Sequence, residues 1–588
     1  MAALKPRPEH VSGFMRSCFF TLLFVLVTAT CFNAQIFVEG FVRDAATGEP
    51  VPFCAVGLKG SSKGWVCNED GNFRIPAPAN NDTLVIVNIA YQTSEIAVTA
   101  LMRNNIIKLK TRQNWLGEVQ VVDNNFAYEL FERCRKTLEK SKPWRSKAYF
   151  VLQSDVKKQP VELLECYYNA SLNAAGITDL GFKNGRVGMA QYRQRYFVNK
   201  NTSKAITFLS LTSNDGSFPL VPFYFKGRQL RKNFTLKIED IYDTIKPVYH
   251  IAFTPTGARQ QGFSGEVWID KKSSRLLKLI MQNDSAGKHP FVPLFSDGKI
   301  NNVGLRIVKT FDEAGLPRHL DFDYNINYEA GDSSRTVNCK GLLYFYDYNA
   351  PFILPYFDYD PEFDDYRKIA SLSYNENFWN NNDGLVYSDK MKKGIAYFRT
   401  NGVLLNYKNP GRPAKGLEHS QFFEYSYLLW SGKQRLTIKS GAIPHDTTKA
   451  TTKNGAFLYQ LYNVKAQIFL DINQYSDSLS HFSATVFDVY KSYYYLQEEP
   501  VTNCFYNIYF DLMEIERRKM EKEIRAMPQT LSNLEAAYNK TLVRIKLMEE
   551  DYFKTVDRGH NLRNLKQWND KVISELGINN FAVFEIKP

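Results

Sequence analysis

The chain has 588 residues, more than one hydrophobic core accommodates, so roughly three to five domains are expected. Hydrophobic residues at 44% and aromatics at 14%, with 42 Phe and 35 Tyr, exclude a disordered chain and favour β structure, where rings sit well on a pleated face. The formal net charge of +13 is spread without a long Lys/Arg block; the nearest, residues 228–232, reads as an exposed turn, and no nucleic-acid partner is expected.

Residues 1–34 read as a secretory signal. Lys5, Arg7 and Arg16 precede an apolar run at residues 19–30, and a cleavage zone follows, with the cut expected near Ala34. The run is shorter than the roughly 20 apolar residues a bilayer-spanning helix needs, although an uncleaved anchor stays open as an alternative. No later stretch is long and apolar enough to span a membrane, so no transmembrane helix is expected in the mature chain. Six cysteines lie beyond the signal (Cys54, Cys67, Cys134, Cys166, Cys339 and Cys504), with no CxxC among them. If residues 51–70 form a hairpin centred between Gly60 and Ser61, Cys54 and Cys67 face each other. Export permits a disulfide between them; two buried thiols are the other reading.

Residues 36–112 alternate short β segments with turn clusters at 44–50 and 68–71, the rhythm of a small sandwich. Gly40-x-Val42-x-Asp44, the run from Thr47 to Pro52, Asp70-Gly71-x-Phe73 and Ile89-Ala90-Tyr91 resemble the carboxypeptidase regulatory-like domain, a transthyretin-like β-sandwich. Cys67-Asn68 stands where that family usually has Thr-Asp, and Ala90 where it usually has Gly. The resemblance implies a module without catalytic residues, of the kind that leads the mature chain in many Gram-negative envelope proteins, TonB-dependent receptors included. Leu116-Gly117-Glu118-Val119-Gln120-Val121-Val122 is similar to the segment that follows the module in those receptors. The remaining chain is too short for a receptor's plug and barrel and turns helical, so a complete receptor is not expected.

Residues 113–145 read as a linker and a helix carrying Tyr128, Phe131, Cys134 and Leu138 at helical spacing. Residues 146–350 read as an antiparallel β domain. Leu320, Phe322, Tyr324, Ile326 and Tyr328 alternate strictly with polar residues, which places one face of that strand in a core. Tyr249 to Phe253, then FSGEVWID from Phe263, a polar turn and a strand with Leu277 and Leu279 resemble the half-barrel of bacterial lipoprotein-carrier proteins. With Leu163-Leu164-Glu165-Cys166 and Gly185-Arg186-Val187-Gly188, the stretch also resembles envelope proteins that join the regulatory-like module to such a domain. The resemblance implies a trough able to hold an acyl chain or another apolar ligand; a solid core of side chains is the alternative. Residues 351–502 read as an aromatic-rich mixed β region with strands at 456–461, 466–472 and 482–490. Residues 503–588 read as a helical region: one helix ended by Pro528, a second from Leu531 with Ser532 and Glu535 as a capping box, a third from Leu565, and a strand-like end at 581–584. The expected fold is thus multidomain and mainly β with α+β character.

Chemical motifs are sparse. HExxH, GxxxxGK[ST] and GxGxxG are missing from the sequence. Gly60-Ser61-Ser62-Lys63-Gly64 matches GxSxG but falls at the hairpin tip rather than on a strand-to-helix elbow. The eight histidines are isolated in sequence. Asp471, Asp488, Asp511 and Glu514 would make a metal site only if the fold brought them together. Asp243-Thr244-Ile245, Asp284-Ser285-Ala286 and Asp477-Ser478-Leu479 resemble a short O-glycosylation acceptor motif of some Gram-negative envelopes. No catalytic, cofactor-binding or metal-ligating residue is assigned, and no cofactor. The leading expectation is a non-catalytic exported envelope protein, periplasmic or associated with the outer membrane, that binds or assembles with envelope proteins or outer-membrane components. The alternatives are a hydrolase acting on peptide or glycan and a carrier of an apolar, lipid-like ligand.

Overall fold

The computed structural model describes residues 37–587 except 61–63, 80, 89, 113–123, 243–246, 258–260, 295–297, 331–332, 371, 383–385, 410–426, 440, 442, 448–460 and 476–477. The signal, the tip of the GxSxG stretch, the segment at 116–122, the motif at 243–245 and most of the strand expected at 456–461 lie outside the described residues.

The N-terminal module is a sandwich of two small sheets. In one, β1 (Phe37–Asp44) lies between antiparallel β4 (Asn72–Pro76) and parallel β7 (Ile106–Leu109). The other orders β3 (Gly64–Val66), β2 (Ala55–Leu58), β5 (Thr83–Val87) and β6 (Ser94–Ala97). Alternate residues such as Val38, Val42, Val56, Phe73, Ile75, Leu84 and Ile86 fill the space between them. Two turns set the strand entries. Asp44 Oδ1 accepts from Ala46 N at 2.7 Å and Thr47 N at 2.9 Å, and these bonds hold its carboxyl below the usual range. Gly71 has φ +70°, and a Cβ there would lie 2.5 Å from Val42 O, so the turn requires glycine.

The centre of the molecule is one antiparallel sheet of eleven strands. Its first strands are β8 (Trp144–Val156), β9 (Gln159–Leu172) and β10 (Ile177–Met189), with Lys157 and Lys158 both at positive φ in the β8–β9 turn, as a tight hairpin demands. After a short ribbon, β11 (Gln191–Tyr192) and β12 (Arg195–Tyr196), a meander follows: β13 (Phe234–Tyr242), β14 (Val248–Pro255), β15 (Ser264–Asp270), β16 (Leu276–Asn283), β17 (Gly298–Phe311), β18 (Pro317–Ala330) and β19 (Ser333–Tyr346). Pairing of β19 with β8 joins the two runs, β20 (Val403–Leu405) is added beyond β10, and the sheet stays open with β13 and β20 at its edges. The alternation read at residues 320–328 is real: Leu320, Phe322, Tyr324, Ile326 and Tyr328 all enter the main core. The helix Asn124–Glu139 packs on that inner face through Ala127, Leu130, Phe131, Cys134 and Leu138.

The last part of the chain builds a second core. The hairpin of β23 (Ala466–Tyr475) and β24 (Ser478–Asp488), flanked by β21 (Tyr427–Leu429), packs on the helices Thr502–Arg525 and Leu531–Val556, and Leu562–Leu576 closes the bundle. A ribbon of β22 (Tyr462–Asn463) and β25 (Tyr493–Tyr494) completes it. Three details differ from the sequence reading. The second helix is capped by Thr530, whose hydroxyl accepts from Asn533 N, while Glu535 takes the hydroxyl of Tyr356 instead of closing a capping box with Ser532. Residues 581–584 are not strand-like: Asn579 accepts from Ala582 N and starts the short helix Asn580–Val583. Residues 351–402 also carry three helices, Asp365–Ala370, Glu376–Asn381 and Asp389–Asn401. Among the described residues no helix is long and apolar enough to cross a membrane.

Candidate functional site

The sandwich is seated on the outer face of the large sheet by the turn that carries its sequence signature. Asn68 Oδ1 accepts from Asp70 N and Asn72 N, both at 2.9 Å, and shapes the turn. Its Nδ2 donates to Val386 O at 3.1 Å, far along the chain. Ser388 Oγ donates to Glu69 Oε1 at 2.6 Å and accepts from Met391 N, and Asp389 N donates to Asp70 Oδ2 at 3.1 Å. The Glu69-Asp70 pair therefore caps the helix Asp389–Asn401 from another module, with carboxylates at the positive end of the helix dipole. The departure at Asn68 has a physical use here, because an aspartate could shape the turn but has no donor for Val386. Phe53, held at φ +53°, joins the outer-face cluster beside His319, with ring centres 6.0 Å apart.

Under this seam lies a charged row. Asp321, between Val308 and Leu342 in register, has a buried Oδ1 with no hydrogen-bond donor, and His319 Nε2 is 3.8 Å away. Burial pushes Asp321 up to about 7 and Asp323 up to about 6, and pushes His319 down to about 4. Arg306 and Lys278 oppose the shift at Asp321. Beside the seam, residues 376–382 and 386–407 cover the outer face of β8, β9 and β10 and meet it around Glu165. That carboxylate accepts from Tyr149 OH at 2.7 Å, from Tyr387 and Tyr407, and from Arg186 through Nε at 2.8 Å and Nη2 at 3.1 Å. Arg186 lies 3.8 Å over the Trp379 ring.

On the inner face Glu162 accepts from Asn199 N at 2.9 Å, Asn199 Nδ2 at 3.1 Å, Ser154 Oγ and Tyr366 OH. Burial pushes its carboxyl up. Cys339 Sγ lies 3.3 Å from Ser154 Oγ. Rings pack against one another in the surrounding core: Phe131 stacks on Phe223 at 4.4 Å, Phe291 on Tyr324 at 4.5 Å, and Phe218 meets Phe322 edge-on.

Lys183 links the two cores. It is fully buried, donates to Asp471, to Ile353 O at 2.6 Å and to Ile472 O at 3.0 Å, and so ties β10 to β23. The other acids weighed as metal ligands are spent separately. Asp511 holds Trp430, Arg435 and Asn580; Glu514 holds Arg517, Arg518 and Thr485; Asp488 caps the turn to Lys491. Among the described residues no group of three His, Cys, Asp or Glu side chains is placed to hold a metal ion. Cys54 and Cys67 do face each other: Cys67 N donates to Cys54 O at 3.0 Å, both thiols are free and buried, and burial with the neighbouring thiol pushes Cys67 up. Sequence reasoning missed Glu162, Lys183 and Arg186 as centres. The available signal was a carboxylate in the apolar run Val161-Glu162-Leu163-Leu164-Glu165.

Comparison with known proteins identifies one part of the chain: residues 38–121 are a CarboxypepD_reg-like domain. Over 98 residues the chain is 39% identical to the TonB-dependent receptor SusC of Bacteroides thetaiotaomicron, a match that covers 17% of this chain and 9% of the receptor. Among solved structures, MucB in the Pseudomonas aeruginosa MucA/MucB complex is 10% identical and covers 37% of this chain and 93% of its own, with a TM-score of 0.15. A LolA superfamily protein from Nitrosomonas europaea is 8% identical over 38% of this chain and 92% of its own, with a TM-score of 0.14. Scores this low carry no argument about ligand or partner.

Two outcomes test the site. Lys183→Met leaves Asp471 buried and uncompensated and should cost about 3–5 kcal/mol in urea unfolding, most of it regained when Asp471→Leu is added; equal loss in both variants contradicts the latch. Asp321 and Asp323 bind protons more tightly folded than unfolded, so between about pH 4 and 7 they make stability fall as pH rises, while neutral His319 opposes this from about pH 4 to 6.5. Asp321→Asn should therefore stabilise the protein more at pH 8 than at pH 5, and an equal effect at both contradicts the assignment.

Proposed function

We propose that this protein is an exported cell-envelope protein that works by binding or assembly at the outer membrane rather than by catalysis, with envelope proteins or outer-membrane components as partners. The observation that carries the reading is the seating of the CarboxypepD_reg-like domain. Its Asn68–Asp70 turn is used internally, as a cap for the helix Asp389–Asn401, so the module is a fixed part of one body. The buried carboxylates Glu162, Glu165, Asp471 and Asp511 are likewise bonded to partners that fasten one segment to another. The module shared with a TonB-dependent receptor supports the compartment, and the buried rings packed against one another on the inner face of the large sheet favour a framework over a lipid carrier.

The test is in-cell cross-linking with fractionation. The mature chain is expected in the envelope, cross-linked to discrete partners through its exposed surface. Recovery in the cytoplasm, or hydrolysis of peptide or glycan panels by purified protein, overturns the reading. We also propose that Cys54 and Cys67 become a disulfide on export by exchange with a disulfide oxidant of that compartment, which takes up the two protons and two electrons and leaves as a dithiol. Unreduced denatured protein should then titrate two thiols fewer than its six cysteines beyond the signal; a full count of six excludes the bond.

A further inference from the structure

The helices Asn124–Glu139 and Gly227–Asn233 leave a groove of about 470 Å³ beside the open edge of the large sheet. Its apolar surface is made by Phe126, Tyr128 and Leu230, and one arginine stands on each wall, Arg133 and Arg231. Both guanidinium groups lie over rings: Arg231 is 4.2 Å from the centre of Tyr128, and Arg133 is 5.7 Å from that of Phe126. Lys271 also approaches Phe126, at 5.8 Å. The groove is braced against the sheet, because Tyr128 OH donates to Phe234 O at 3.1 Å and accepts from Leu236 N at 3.3 Å on the edge strand β13. That hydroxyl takes the place of a neighbouring strand and fixes the ring that forms the groove wall.

The charge here is unbalanced. Glu132 is held by Arg135 at 2.7 and 3.0 Å, and Glu139 is shared between Arg135 and Lys226, so neither neutralises the groove arginines. Glu129 is the one lining acid outside these pairs. Arg228 and Lys232 are exposed on the same short helix and add positive charge near the groove, to which the basic run read in sequence at residues 228–232 contributes Arg231 directly. The cations are distributed along two helices rather than converged on one point. That spacing matches carboxylates spread along a chain, each able to take a bidentate guanidinium, better than a single phosphate headgroup.

We propose that this groove binds an acidic peptide segment carrying an aromatic or aliphatic anchor, presented by a partner in the envelope. The side-chain anchor fills the space against Phe126, Tyr128 and Leu230, and flanking Asp or Glu residues pair with Arg133 and Arg231. The inference rests on the binding-module reading and names the chemistry of its partner.

The test uses the full mature chain and a fluorescent ten-residue peptide of alternating Asp and Glu around one central Trp, followed by anisotropy. Saturable binding that weakens with salt is expected, together with a loss of at least about ten-fold in the double variant Arg133→Glu, Arg231→Glu. The arginine side chains are exposed, so folding is checked by an unchanged melting temperature; Phe126→Ala, which removes a half-buried groove ring and leaves both arginines in place, gives a second loss. A Lys-for-acid analogue should not bind. Absence of peptide binding, binding unaffected by the charge reversals, or reversal-sensitive binding to phosphatidylglycerol vesicles with none to the peptide each overturns the proposal. If partners are still cross-linked in cells by the reversed variant, the groove assignment fails while the binding reading stands; if neither protein captures a partner, that reading fails too.

Discussion

The structure turns on a sheet whose central strands are buried on both faces. β8, β9 and β10 carry near-continuous buried runs, so neither face can be left to water and each needs a covering layer from elsewhere in the chain. Helices from residues 124–139, 202–207 and 365–370 cover the inner face. Residues 376–382 and 386–407, with the N-terminal sandwich, cover the outer one. A double-faced sheet of this length also buries polar side chains, and those must find partners. Each buried charge on β9 and β10 is therefore met by a distant segment: Glu162 by Asn199 and Tyr366, Glu165 by Tyr387 and Tyr407, Lys183 by Asp471. Burial creates the demand, and the answers to it set the tertiary arrangement.

The sandwich follows the same logic at its own boundary. A free regulatory-like module would expose its Asn68–Asp70 turn to water, whereas here Asp70 takes the first N–H of a helix and Glu69 takes the hydroxyl of its N-cap, Ser388. The residue at which the sequence leaves the family pattern, Asn68, contributes the amide donor that crosses the seam. Phe53 accepts a left-handed backbone to reach the same surface, a strained conformation held by its surroundings. Docking also explains why Asp321 and His319 on the sheet are shielded enough to be pushed away from their usual titration ranges.

The parts that were legible in sequence share a short range. Alternation at residues 320–328, the hairpin symmetry that sets Cys54 against Cys67, the helical spacing at 128–138 and the three C-terminal helices all follow from spacing along the chain. The errors were made where a distant group competes with a local rule. Glu535 is drawn from its capping position by Tyr356, and residues 581–584 form a helical turn because Asn580 is drawn inward to Asp511. The helices at 365–401 are short and aromatic, and they owe their place to the sheet beneath rather than to propensity.

By itself the sequence determined the sandwich module, the strand-rich middle and the helical end, because pattern and turn chemistry are local properties. Only the tertiary structure decided that the acids considered for metal binding stand apart, each among its own partners, and that buried rings pack against one another on the inner face of the large sheet. It also set Arg133 and Arg231, almost a hundred residues apart in sequence, at one groove between two helices. The physical reason is the same in each case: a charge or ring takes its role from what burial brings beside it, and those neighbours lie tens to hundreds of residues away in sequence.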